Sequence, residues 1–218
     1  MAFLQTHLPA LLDGLRTTLQ LTVGGALLAA ALAAVAGLGR RSPRRLCRWP
    51  ANVYVEVFRG TSALVQLFWF YFALPLFGVS LPALATGVLV LGLNSGAYGA
   101  EVVRSAIAAV PAGQWEAARA LQLDERQALF RVILPQALPM MLPPAGNLLV
   151  ELLKNTALVS LITLSELTFT AQVQRAATLE TVPLFALTLA IYFAAAQVLL
   201  AGVRRLERHV TRHRRGRA

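Results

Sequence analysis

The chain has 218 residues, 57% hydrophobic and only 14% charged, with a mean hydropathy of +0.62 and a formal net charge of +10. A soluble domain carries about a quarter charged residues, so this composition excludes an ordinary water-soluble globule. The positive charge does not point to nucleic acid either. Its arginines lie beside long apolar runs and not on a soluble basic face interleaved with aromatics.

No Asp, Glu, Lys or Arg occurs in Thr17–Gly39, Gly60–Ala100, Val132–Val150, Asn155–Ser165 or Thr181–Val203. A helix needs about 20 apolar residues to cross a ~30 Å hydrocarbon core, so these windows predict an all-α membrane protein of about five spans. In chain order, residues 1–16 read as a short amphipathic lead-in ending at Arg16. This start lacks a basic cluster and leads into a run of full span length, which reads as an uncleaved signal anchor. Span one is expected at 17–38, followed by a loop holding Arg40, Arg41, Arg44, Arg45 and Arg48. Span two is expected at 54–77. Pro75, Gly78 and Pro82 then reverse the chain into span three at 83–104. Gly92 and Gly96, four apart in span three, are small enough to let helix backbones approach closely in lipid, the alternative being the ordinary small-residue content of an alanine-rich chain.

Residues 105–135 are too polar for a span, with Arg119, Arg126 and Arg131 set against Glu116, Asp124 and Glu125. Pro111 and Pro135 bound this stretch, which reads as two short helices outside the membrane. Span four is expected at 136–164, with Pro139, Pro143 and Pro144 loosening its first turns. A polar connector at 165–182 and span five at 183–203 follow, then a basic surface-lying tail at 204–218. The whole reads as a single membrane domain. One orientation places every arginine-rich segment on the cytoplasmic side: N-terminus outside, loop 105–135 and C-terminus inside. Cys47 is the only cysteine, so no intrachain disulfide is possible. His7, His209 and His213 form no metal-binding pattern.

The cytoplasmic loop at 105–135 has the character of a docking element. Gly113 can open a helix, with Gln114 in its first turn. Glu116 would complement the positive helix end, and Ala117-Ala118 with Ala120 present little bulk beside Arg119. A thin helix of this kind fits a groove on a partner protein. A membrane-surface helix would want more apolar bulk and more basic charge. Leu129, Phe130 and Ile133 are available to hold the following helix against the membrane domain.

These residues carry a resemblance. Glu116-Ala117-Ala118 with Leu134-Pro135 resembles the EAA loop of permeases in binding-protein-dependent ATP-binding-cassette importers, in the polar-amino-acid branch. The family's glycine four positions after the second alanine is Gln122 here, and Val132 stands for the usual isoleucine. Arg59-Gly60-Thr61-Ser62 with Gln66, Asn94 to Arg104, Pro143-Pro144-Ala145-Gly146-Asn147, Leu153-Lys154-Asn155-Thr156 and Ser165-Glu166-Leu167-Thr168 resemble that branch's other signatures, in register from about residue 15 to 206. The resemblance implies a multi-pass protein of the bacterial inner membrane that is not itself an enzyme. It implies two permease chains, identical or related, forming the pathway, and an extracytoplasmic solute-binding protein delivering the solute. It also implies ATP-binding subunits that hold ATP and magnesium and grip the 113–130 segment. No Walker motif occurs in this chain, in keeping with that division.

Ionisable and polar groups within spans are candidates for the pathway. Glu151 and Lys154 lie three residues apart, a spacing that also allows them simply to pair. Asn94, Asn155, Gln66 and Arg59 complete the set. Asn94 has an interhelical hydrogen bond as its alternative, and Arg59 has an ion pair with Glu56 or a headgroup contact. Relatives that carry cationic amino acids have acids where this chain has Leu148 and Asn155, which points to a neutral or acidic amino acid or a similar solute. The rival reading is a small secondary transporter or channel that uses Glu151 and Lys154 as a relay. It leaves Glu116-Ala117-Ala118 without a purpose. A membrane-embedded hydrolase would need a nucleophile–base pair or metal ligands, and no expected span contains histidine.

Overall fold

A computed structural model describes residues 2–215, with side chains described for residues 6–210. All regular elements among them are helical: α1 (Ala2–Gly39), α2 (Arg45–Gly60), α3 (Ala63–Phe68), α4 (Ala83–Ala108), α5 (Ala112–Ala120), α6 (Glu125–Gln127), α7 (Leu134–Asn155), α8 (Leu167–Thr178) and α9 (Thr181–Arg215). Four continuous helical runs are long and apolar enough to cross a membrane: Thr6–Gly39, Ala83–Ala108, Glu125–Ile162 and Thr181–Val210. The bent pair Arg45–Gly60 and Ala63–Phe77 brings the total to five if it counts as one span.

The framework is α1 packed along α4. Positions 7, 11, 14, 18, 21, 25, 29, 33 and 36 of α1 are all buried, a three-to-four-residue repeat that puts one face on the protein. The opposite face exposes Leu12, Leu19, Val23, Leu27 and Val35, as an apolar solvent requires. On α4, Gly92 and Gly96 meet this face. A Cβ on Gly92 would lie 2.7 Å from Leu28 Cδ2, and one on Gly96 would lie 2.9 Å from Leu32 Cβ. The small-residue pair is therefore a backbone contact and not incidental composition.

The second expected span is not one helix. It breaks at Gly60-Thr61-Ser62 with a bend of 104°, where Thr61 and Ser62 take extended backbone. Farther on, Pro75 and Pro135 each sit just after a widened turn. The Leu74 N–H bonds Trp69 O and the Leu134 N–H bonds Leu129 O, skipping one register step. That adjustment carries the helix into a residue with no N–H of its own. The second short helix expected in the cytoplasmic loop therefore runs through Ala128–Ile133 into α7 as its extension. The polar connector at 165–182 contains α8. The basic tail continues α9 as helix to Arg215, and residues 216–218 lie outside the described residues.

Candidate functional site

Helices α5 and α6 form a hairpin between α4 and α7. Helix α5 begins at Ala112, one residue earlier than Gly113, so Glu116 lies beyond its first turn and makes little use of the helix dipole. The helix ends in a Schellman turn: Leu123 N–H donates to Ala118 O at 3.1 Å and Gln122 N–H to Arg119 O at 2.9 Å. Gln122 occupies the left-handed position with φ +58°, so the turn forms without the glycine usual there. Asp124 then caps α6, accepting from Gln127 N–H at 2.7 Å while Gln127 Oε1 accepts from Asp124 N–H.

The hairpin is fastened on one side only. Trp115 and Leu129 pack with Ile107, Val110 and Ile133, and Gln136 Nε2 donates to Gln114 Oε1 at 2.9 Å. Arg41 from the α1–α2 turn stacks over the Trp115 ring at 5.4 Å. Ala118 is buried inside the hairpin, so Ala117 alone of the alanine pair reaches the surface. Gly113, Glu116, Ala117, Arg119 and Ala120 are exposed, and Leu121 at the tip is 74% exposed. Phe130 also points outward and does not help to hold the hairpin. A thin, mixed-charge face thus projects from the membrane domain with no partner among the described residues.

The expected pathway residues separate into two groups. Gln66 and Asn94 work together on the helix break. Gln66 Nε2 donates to Phe58 O at 3.0 Å and Thr61 Oγ1 at 2.7 Å, and Asn94 Nδ2 donates to Phe58 O at 3.0 Å. The carbonyl freed by the bend is thereby satisfied within a buried, apolar setting. Arg59 does not pair with Glu56. Its guanidinium lies over Tyr98 at 5.2 Å and 3.9 Å from Glu101, which also accepts from Arg40 at 2.6 Å and from Arg104.

Glu151 and Lys154 behave differently. They form no ion pair with each other or with any described residue, and both are exposed. Met140, Pro143, Asn147, Glu151 and Lys154 recur at three- and four-residue spacing, one exposed stripe along α7, with Asn155 half-buried at its end. Charges on a spanning helix are too costly to leave against lipid, so this stripe faces water or another protein. One cleft in this chain, of about 410 Å³, is lined by apolar groups such as Ala30, Ala33, Met141, Leu152 and Val203. Another, of about 470 Å³, lies beside Arg59, Tyr98, Glu101 and Met140.

Residues 26–212 match the family described as "Binding-protein-dependent transport system inner membrane component". The chain belongs to that family. It is 44% identical over 207 residues to a probable amino-acid ABC transporter permease protein, y4tF, of Sinorhizobium fredii, covering 92% of this chain and 87% of the relative. It is 37% identical over 213 residues to the L-cystine transport system permease protein TcyB of Bacillus subtilis, covering 95% and 91%. A crystal structure of an amino acid ABC transporter with histidines superposes with a TM-score of 0.88 at 35% identity, covering 95% of this chain and 97% of that one. The protein is thus a multi-pass permease component, a transport subunit and not an enzyme.

Two parts of this permease were not among the expected site residues. One is the Glu101 node, whose Arg40 also donates to Asn52 at 2.8 Å and so joins α1, α2 and α4. The other is Glu166, fully buried at the start of α8. It accepts from Phe169 N–H at 2.7 Å, Thr168 N–H at 2.8 Å and Tyr192 O–H at 2.9 Å, linking α8 to α9, with Thr18 of α1 nearby. Burial pushes this carboxyl up, against the pull of its donors. Sequence preference gave no signal for it, since helix N-caps favour Ser, Thr, Asp or Asn and would have pointed to Ser165.

Proposed function

We propose that this permease forms the membrane pathway of an ATP-driven importer for an amino acid or amino-acid-like solute, and that α5 is the element its ATP-binding subunits grip. The reading rests above all on the hairpin: a nine-residue helix, fastened from behind, whose outward face of Glu116, Ala117, Arg119, Ala120 and Leu121 is exposed and meets no partner among the described residues. Nucleotide-driven closure of the partner would move this lever and bias inward-open against outward-open arrangements. ATP and magnesium belong to that partner. A solute-binding protein delivers the solute from outside, and a second permease chain, identical or related, covers the stripe on α7. The N-terminus then lies outside and the C-terminus in the cytoplasm, since every arginine-rich segment falls on one side.

The solute class follows from the names of the relatives and from the stripe, where Glu151 and Lys154 offer one charge of each sign to a zwitterion. A cysteine at Ala117 in a Cys47→Ser background tests the docking role. It should be labelled from the cytoplasmic face and crosslink to the co-expressed ATP-binding subunit. Labelling from the outer face, or absence of that crosslink, overturns the proposal.

A further inference from the structure

The first turns of α2 are not buried against any described residue. Residues 44–50 are all exposed, and burial begins only where Ala51, Tyr54 and Val55 reach Ala36 and Ala100. Leu46 is 90% exposed and Trp49 70% exposed. With Val53 and Val57 they recur at i, i+3, i+7 and i+11, one apolar stripe turned away from the protein. The basic residues around it are divided. Arg40 and Arg41 are occupied within the chain, by Glu101 with Asn52 and by Trp115. Arg44, Arg45 and Arg48 have no side-chain hydrogen bond or ion pair among the described residues, and the one acid on α2, Glu56, lies at the far end of the stripe, two turns beyond Arg48.

We infer that this half-helix is an anchor for anionic phospholipid on the cytoplasmic leaflet, a role beyond the transport reading and separate from the hairpin. Leucine, tryptophan and valine enter the boundary between headgroups and acyl chains, while the three unpaired arginines bind headgroup phosphates at its edge. Tryptophan suits that depth, with an apolar ring and one polar N–H. The apolar stripe and the uncompensated charge lie on the same exposed turns, which fits a charged lipid surface better than a neutral one or bulk water.

The test uses the assembled transporter in nanodiscs, with Cys47→Ser and Leu46→Cys carrying a polarity-sensitive fluorophore. Discs of phosphatidylcholine alone are compared with discs containing increasing phosphatidylglycerol. The inference expects quenching by nitroxide-bearing lipid, protection from aqueous iodide, and a blue shift that grows with phosphatidylglycerol. The combined Arg44→Gln, Arg45→Gln and Arg48→Gln variant should raise the phosphatidylglycerol fraction needed for half the shift several-fold. Added salt on the unmutated chain should act the same way, so a poorly folding variant does not block the test. Iodide quenching without lipid quenching overturns the inference. So does protection from both quenchers, which would mean that another protein covers the stripe, or a shift indifferent to phosphatidylglycerol. A Glu116→Arg transporter should give the same fluorescence, which separates failure here from failure of the docking proposal.

Discussion

Glu101 and Glu166 stand in one class of acidic residue in this permease, and Glu116 and Glu151 in another. The first two are met inside the chain by arginines, backbone N–H groups or a tyrosine hydroxyl, and each ties three helices together. The second two are exposed and meet no donor among the described residues. Burying a carboxylate among its own donors serves the fold, because any unmatched member would be expensive. Leaving one unmatched on a rigid projection or a spanning helix makes sense when something outside the chain completes it. The same contrast separates the arginines, with Arg40 and Arg104 serving the fold while Arg44, Arg45 and Arg48 face outward.

Mutations can break or sharpen that contrast. Glu166→Ala takes the acceptor from two part-buried N–H groups and leaves the Tyr192 hydroxyl with Thr168 Oγ1 alone. It should cost about 2–4 kcal/mol, read as a fall of several degrees in the Tm followed by intrinsic tryptophan fluorescence. An unchanged Tm would place Glu166 in the outward class. Next in size, Glu151→Gln with Lys154→Gln should leave the Tm within the range of ordinary surface changes, about 0.5 kcal/mol, while initial uptake falls about tenfold. A lowered Tm with uptake intact would show that the pair serves packing. Smallest is Gln122→Gly. A non-glycine residue in the left-handed region costs roughly 1–2 kcal/mol, and the freer unfolded chain returns about half of that. The variant should therefore gain about 0.5–1 kcal/mol in stability with uptake unchanged. A loss would mean that the Gln122 side chain does more than tolerate its turn.

Much of this was readable beforehand, and what was not has physical reasons. Charge-free windows locate the apolar segments because lipid excludes ionised side chains at any register. The break at Gly60-Thr61-Ser62 is ambiguous in the sequence, since a spanning helix tolerates a glycine and two hydroxyl residues as well as a bend does. Only the clamp formed by Gln66 and Asn94 accounts for it, and those residues lie 28 positions apart in sequence. In the hairpin the residues proposed to dock were legible as a short polar helix, but their outward or inward aim depended on the helix phase. Starting at Ala112 and closing with a Schellman turn puts Ala118 inside and Ala117 outside. The expected pairing of Glu151 with Lys154 fails for a similar reason: i, i+3 spacing permits contact but does not require it, and nothing on α7 orients the two side chains toward each other.

The central claim is that the hairpin's exposed face acts on a partner and not on its own chain. The most direct measurement is uptake by the reconstituted, assembled transporter carrying Glu116→Arg, taken beside its Tm. The claim requires uptake to fall at least about tenfold while the Tm stays put, as expected for a residue at the centre of an interface. Undiminished uptake, or a loss that merely follows a lowered Tm, would contradict it.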